Sequence, residues 1–270
     1  MLGRVLIVAG SDSGGGAGIQ ADIKTVTALG GYAATAVTAL TAQNTQGVFG
    51  VVGVEPAFIA LQMRLVIEDI GADCIKTGML HNSQVIETVV GVLDVLEDLA
   101  PRTPLVADPV MFAKGGEPLL EPEAQETLLQ LLVPRATVLT PNIPEAEALS
   151  GMKISTSEAM QQAGERLLEK GAKAVLVKGG RLRGEWVPDL LVSPEEVECF
   201  ERPRLDTVHT HGTGCTLASA IAAGLAQGLS LPTAVARALA YVYEAIRTAP
   251  GLGKGRGPLN HAHTVRPFEV

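Results

Sequence analysis

Aromatic side chains make up only 3% of this 270-residue chain, which leaves little with which to stack the bases of single-stranded nucleic acid. Positive charge is also short. The 21 Lys and Arg face 29 Asp and Glu, a net charge of −8, and that excludes a broad surface for nucleic-acid backbones. A small anionic ligand, held by backbone amides and one or two lysines, stays compatible with this balance. Cysteine is scarce as well: Cys74, Cys199 and Cys215 stand far apart, show no metal spacing and form no disulfide framework. With no secretory leader read, a cytoplasmic location is expected. No apolar stretch approaches the ~18 residues a membrane helix needs, so no membrane partner is expected. What remains is 47% hydrophobic and 19% charged, a folded composition.

Apolar runs of strand length alternate with helical patterns. Val5–Ala9, Tyr32–Ala39, Val48–Val54, Cys74–Lys76, Leu105–Ala107, Thr137–Leu139 and Ala174–Val177 read as strands. Gly18–Leu29, Pro56–Ile70, Ser83–Leu99, Glu123–Leu132 and Ser157–Lys170 read as helices. The alternation predicts βαβ crossovers, hence an α/β protein with a mostly parallel central sheet and helices on both faces. Between Glu185 and Phe200 two strands follow each other directly, which predicts an antiparallel edge hairpin. No internal repeat or low-complexity linker divides the chain, so residues 1–270 are expected to form one domain. In open sheets of this kind ligands sit outside the carboxyl ends of the strands. The polar and glycine-rich segments all fall at such ends.

His211-Gly212-Thr213-Gly214-Cys215-Thr216 leads into a small-residue helix pattern. Glycines let several N–H groups face one point, and the helix adds free amides and its positive dipole end. That combination suits a phosphate or a developing negative charge, although a tight turn before a buried helix would read the same. Gly10 to Gly18 follows a strand and opens a helix, but it carries neither the G-x-G-x-x-G spacing nor a P-loop lysine. It can serve as a tight connection, or as backbone lying beneath a flat substrate. Thr41-Ala42-Gln43-Asn44-Thr45 forms a polar island after a strand. The planar amide of Gln43 can pair with the edge of an amino-heterocycle, and a simple turn is the alternative. Asp108 ends a buried strand, and the Phe112–Pro118 loop after it carries Lys114, Gly115 and Gly116 and could move over a substrate. Asn142 and Glu145 mark a helix start, where Glu145 either complements the dipole or orders metal-bound water and phosphates. Lys178 ends another strand and serves either solvent or phosphate. His209 and His211 read as loop packing, His261 and His263 as tail residues.

Taken in order, "AGSDSGGGAGIQADIKT", "TALTAQNT", "KTGML", "ADPVM", "TPNIPEAEAL", "VKGG", "HGTGCT" and "GKGRGPLNH" resemble the hydroxymethylpyrimidine/phosphomethylpyrimidine kinases of thiamine biosynthesis. These belong to the ribokinase-like superfamily. The resemblance runs from residue 4 to about residue 262. It implies a three-layer ribokinase-like fold, ATP as co-substrate with Mg²⁺, a small pyrimidine as the other substrate, and a homodimer. Carried over position by position, it implies that Gly10, Ala17, Thr41, Gln43, Met79 and Val110 hold the pyrimidine beside Cys215. Gly212, Thr213 and Gly214 would form the anion hole, Asn142, Lys178 and Lys254 would bind ATP, and Asp108 and Glu145 would serve the metal. Many ribokinase relatives carry an aspartate base where this chain has Cys215. A free thiol titrates near about 8.5 and a helix N-terminus lowers that, so a thiolate at Cys215 that acts as base is one of two open readings. The alternative is that positioning and electrostatics suffice, since a loose phosphoryl-transfer transition state needs little from a base. Three rival readings are a pyridoxal kinase, a nicotinamide-dependent oxidoreductase lacking its fingerprint, and a non-catalytic pyrimidine-binding regulator.

Overall fold

The computed structural model describes residues 2–99, 103–113 and 116–266. Nine strands form one sheet in the order β3-β2-β1-β4-β5-β6-β7-β8-β9. They are β1 (Arg4–Asp12), β2 (Tyr32–Asn44), β3 (Gly47–Gly53), β4 (Cys74–Thr77), β5 (Leu105–Ala107), β6 (Val138–Leu139), β7 (Val175–Lys178), β8 (Trp186–Val192) and β9 (Val197–Pro203). From β2 through β7 every pairing is parallel, while β3 at one edge and β8–β9 at the other are antiparallel.

Strand alternation decides which layer each side chain enters. Val5, Ile7 and Ala9 of β1 pack toward α1 (Gly18–Ala28), α7 (Thr213–Ala226) and α8 (Leu231–Arg247). Leu6 and Val8 face the opposite layer. That layer holds α2 (Pro56–Asp69), α3 (Ser83–Leu99), α4 (Ala124–Thr127), α5 (Ile143–Ser150) and α6 (Ser157–Glu169). The expected three layers and edge hairpin are therefore present. α8 is an addition to the alternation read from sequence.

Local chemistry explains the element ends. Asn142 caps α5 by accepting the Glu145 amide at 3.1 Å, and Glu145 returns the bond to the Asn142 amide at 2.8 Å. Thr156 caps α6 through the Ala159 amide. The expected Glu123–Leu132 helix is α-helical only over α4, then widens to a π-turn at Leu128–Leu132 and tightens to a 3₁₀ turn at Val133–Arg135. Pro134 cannot donate the next helical bond.

Two boundaries differ from expectation in ways that matter for function. Thr41–Asn44 is not a polar island after β2 but the continuation of that strand, paired antiparallel with β3. The reason is the hairpin turn at Thr45–Gln46, which lets the polar segment satisfy its backbone against Gly47–Val51. The Phe112–Pro118 segment closes as a short hairpin through the Ala113 amide and the Glu117 carbonyl. Its Lys114 and Gly115 lie outside the described residues.

Candidate active site

A cavity of about 390 Å³ opens at the carboxyl ends of the parallel strands. Gly10, Ala17, Thr41, Gln43, Met79 and Val110 line it, as do Asp108, Asn142, Glu145, Lys178 and the run Gly212–Cys215. Lys254 does not. It is exposed, on a loop whose Gly255 and Arg256 amides bond Thr45, at the Gln43 end of the molecule.

The start of α7 is built by contact between two glycine loops. Gly212 adopts φ 84° and precedes the helix. A side chain there would run into the Gly16 carbonyl, and one at Gly16 would meet the His211 ring. Neither position has room for a Cβ, so the loops lie backbone against backbone. Among the described residues the amides of Gly212, Gly214 and Cys215 meet no protein acceptor. These are the N–H groups a helix leaves unpaired at its start, and they border the cavity.

Asp12 joins the two loops chemically. Its carboxylate accepts the Gly14, Gly16 and Ala17 amides at 2.7, 3.0 and 2.8 Å, and His211 Nε2 lies 2.9 Å away. Burial works against the charged form, but the His211 ring and these amides hold the carboxyl below its usual range. His211 is loop packing as expected, with this added partner. The tail reading of His261 is corrected: it is buried against α7, 2.9 Å from Thr216 Oγ1, and its carbonyl accepts the Tyr241 hydroxyl. Burial lowers its pKa to about 4, so the ring is neutral.

Two lysine–aspartate pairs border the cavity. Lys178 Nζ lies 2.9 Å from Asp108 Oδ1, which also accepts Thr140 Oγ1. A Cβ at Gly214 would sit 3.3 Å from that ammonium, so Lys178 stands directly under the α7 start. Burial disfavours its charge, yet Asp108 and Glu145 keep it above its ordinary value. Burial also raises Glu145, to about 7, despite Lys178 nearby. Asp108 and Glu145 are the hard oxygen donors here. Among the described residues no group of three or more His, Cys, Asp or Glu could hold a metal. A divalent cation at this point would need oxygens from its ligand as well.

The second pair, Lys76 with Asp22, was not anticipated. Its signal is visible in retrospect: a single charge at an inward position of the buried strand Cys74–Thr77. Also missed were Arg202, Arg204 and the α8 stripe Leu239, Val242, Tyr243 and Ile246, all lining the cavity. Arg204 donates to the carbonyls of Gly180, Leu182 and Gly184 and so anchors one rim. The α8 stripe has helical spacing that a periodicity reading could have found.

The surroundings of Cys215 bear on the two readings left open for it. The sulfur lies at the helix start, but burial pushes its thiol up to about 12, with Lys76 pulling the other way. Enclosure in the site outweighs the pull of Lys76, so the shift runs away from a thiolate.

Comparison with known proteins agrees with this geometry. The family model described as phosphomethylpyrimidine kinase matches residues 12–260. The thiamine biosynthesis bifunctional protein of Geobacter sulfurreducens is 52% identical over 96% of this chain, which spans about half (52%) of that longer protein. The hydroxymethylpyrimidine/phosphomethylpyrimidine kinase of Streptomyces coelicolor is 46% identical, covering 95% of this chain and 93% of its own. Among solved structures, the pyridoxal kinase of Staphylococcus aureus in complex with AMP-PCP and pyridoxal superposes with a TM-score of 0.89 at 34% identity, over 98% of this chain and 96% of that one. The glycine cradle, the cavity and these likenesses converge: the chain belongs to the phosphomethylpyrimidine kinase family, of ribokinase-like fold.

Proposed function

We propose that this chain transfers the γ-phosphoryl group of ATP to the hydroxyl of hydroxymethylpyrimidine, and then a second phosphoryl group to the resulting monophosphate. One observation carries the reading: a single cavity is lined both by Gln43, which brings a planar amide, and by Gly212, Gly214 and Cys215, whose amides meet no acceptor among the described residues and stand over Lys178. The first is suited to the edge of an aminopyrimidine, the second to a migrating anionic group.

In the first transfer a bond forms between the substrate oxygen and the γ-phosphorus. The bond from that phosphorus to the β-phosphate oxygen breaks, and ADP leaves with the electron pair. The hydroxyl proton passes to an oxygen of the transferred group and then to solvent. Gly212–Cys215 and the α7 dipole hold the equatorial oxygens, and Lys178 adds a fixed charge below them. Asn142 and Lys178 border the nucleotide phosphates. Asp108 and Glu145 are the residues that would hold Mg²⁺ together with oxygens of the nucleotide, and the ion would supply neutralisation of phosphate charge. Cys215, as a neutral thiol, packs on the substrate and takes no proton. In the second transfer the nucleophile is a phosphate monoester whose second pKa is about 6, so it attacks already deprotonated.

The continuous sheet supports reading residues 1–270 as one kinase domain. Phe49 and Val52 of β3 are 72% and 66% exposed, and Leu40, Phe58 and Leu65 extend the same apolar face. That patch supports a homodimer formed through β3 and α2. No described helix is long and apolar enough to cross a membrane, and the scattered free cysteines fit a cytoplasmic enzyme.

The test is incubation with ATP, Mg²⁺ and hydroxymethylpyrimidine, with products identified by ³¹P NMR and mass spectrometry. Mono- and diphosphorylated pyrimidine are expected in sequence; ATP turnover without either product would overturn the reading. The likeness to a pyridoxal kinase at TM-score 0.89 favours one second reading, phosphorylation of pyridoxal in the same cavity. Comparison of kcat/KM for the two alcohols ranks them.

A further inference from the structure

Lys76 is fully buried on β4, yet it borders the cavity. Its ammonium lies 2.8 Å from Asp22 Oδ2 on α1, and the other Asp22 oxygen accepts the Ser219 hydroxyl of α7 at 2.7 Å. An ammonium has three N–H donors. The other two meet no acceptor among the described residues. A buried lysine–aspartate pair is weak evidence for stability, since apolar replacements often serve the fold as well. A buried cation beside a ligand cavity with donors to spare is instead a functional candidate.

Its position narrows the role. Strand alternation puts Lys76 on the α1/α7 side of the sheet, where Cys215 opens α7, and the two groups feel each other electrostatically. A Cβ on Gly78 would sit 3.0 Å from its nitrogen, and Gly10 packs on Met79 close by. Gly10 and Met79 are residues that the family resemblance assigns to the pyrimidine. Lys178, by contrast, is engaged by Asp108 under Gly214. Both cations act on Cys215, Lys178 from beneath the α7 start and Lys76 from beside Gly78.

We propose that Lys76 is the cation that meets the attacking oxygen: it stabilises charge developing on the substrate hydroxyl in the first transfer and binds the monophosphate in the second. The inference rests on the two-step reading above. Bond making and breaking are as described there. The hydroxyl proton still leaves to the transferred phosphoryl group, and Lys76 keeps its own proton throughout. Asp22 and Ser219 are positioning residues that hold Lys76 against the cavity wall and tie it to α7.

The experiment compares the wild type with Lys76→Met and with the double variant Asp22→Asn/Lys76→Met, which leaves no unpaired buried charge if the single variant misfolds. For the double variant, kcat of the first phosphorylation is expected to fall about 100-fold or more while KM for hydroxymethylpyrimidine changes less than about threefold. In the second reaction KM for the monophosphate is expected to rise about tenfold or more. Binding of AMP-PCP with Mg²⁺ by calorimetry, and the melting temperature, should stay near wild type. First-step kcat within about threefold of wild type in the folded double variant would overturn the proposal, as would parallel loss of both reactions and AMP-PCP binding. If the wild type turns over neither substrate, the two-step reading fails on its own. Calorimetric binding of hydroxymethylpyrimidine monophosphate without ATP then decides about Lys76: at least tenfold weaker binding in the double variant upholds it, and unchanged binding overturns it.

Discussion

The two helical layers that sandwich the sheet are packed from different materials. The layer of α2 to α6 is filled by large aliphatic side chains such as Ile59, Met63, Ile86, Leu132, Met160 and Leu167. The layer of α1, α7 and α8 is dominated by alanine, with Ala218, Ala220, Ala222, Ala223, Ala234 and Ala238 all fully buried. Where α7 crosses α8, a Cβ on Gly224 would come within 2.7 Å of Ala234 Cβ. Small residues let helices approach closely and leave few rotamers to vary. The same layer supplies the cradle, Cys215 and Asp22. Its compactness serves to place backbone amides accurately, whereas the bulky layer supplies most of the apolar burial.

Substitutions can test that division. The largest effect is expected at the cradle. Gly212→Val must leave φ 84° and strike the Gly16 loop, so kcat/KM should fall about a thousandfold or more in a coupled ADP-release assay. In the bulky layer, Met160→Ala should cost about 2–5 kcal/mol in urea unfolding and leave kcat of the folded enzyme nearly unchanged. A large kcat loss there would erase the contrast between layers.

His261 joins the compact layer to pH. Its folded pKa near 4 lies below the ordinary 6.5, so the unfolded chain binds the extra proton between those values. The stability of the neutral, buried ring is fully present above about 6.5 and is lost as pH falls toward 4, by about 2 kcal/mol at pH 5. Melting curves of the wild type and His261→Gln at pH 7 and pH 5 should show the gap between them narrowing on acidification. The smallest effect is expected at Cys215. Cys215→Asp places a carboxylate beside the second substrate's dianion and should slow the second phosphorylation about tenfold more than the first. Equal slowing, measured with each substrate separately, would remove any role for a neutral group there.

Much of the frame was legible because parallel strands buried on both faces leave short apolar runs, and helices announce themselves by period. Pro56 and the Asn142–Glu145 pair marked their helix starts almost to the residue. The site residues quoted from motifs gather in one cavity, Lys254 excepted. What escaped was set by tertiary structure. The extension of β2 through Thr41–Asn44 depends on a partner strand beyond the turn, and polar residues conceal it. The helix position of Cys215 left a thiolate open, and the opposing influences, among them Asp22 and Asp108, come from residues distant in sequence. Asp22 and Lys76 are 54 residues apart, and neither identifies the other until α1 is laid against β4.

The segment after α8 returns to the cradle: Pro258 bridges to His211, the Gly257 carbonyl accepts the His211 amide, and His261 seals Thr216. The glycine loop at the start of α7 is therefore closed by chain that follows the last helix, so it is complete only once this late segment has folded back onto it. All nine strands precede that segment, ending at Pro203, so the frame and the closure of its glycine loop are built by different stretches of chain.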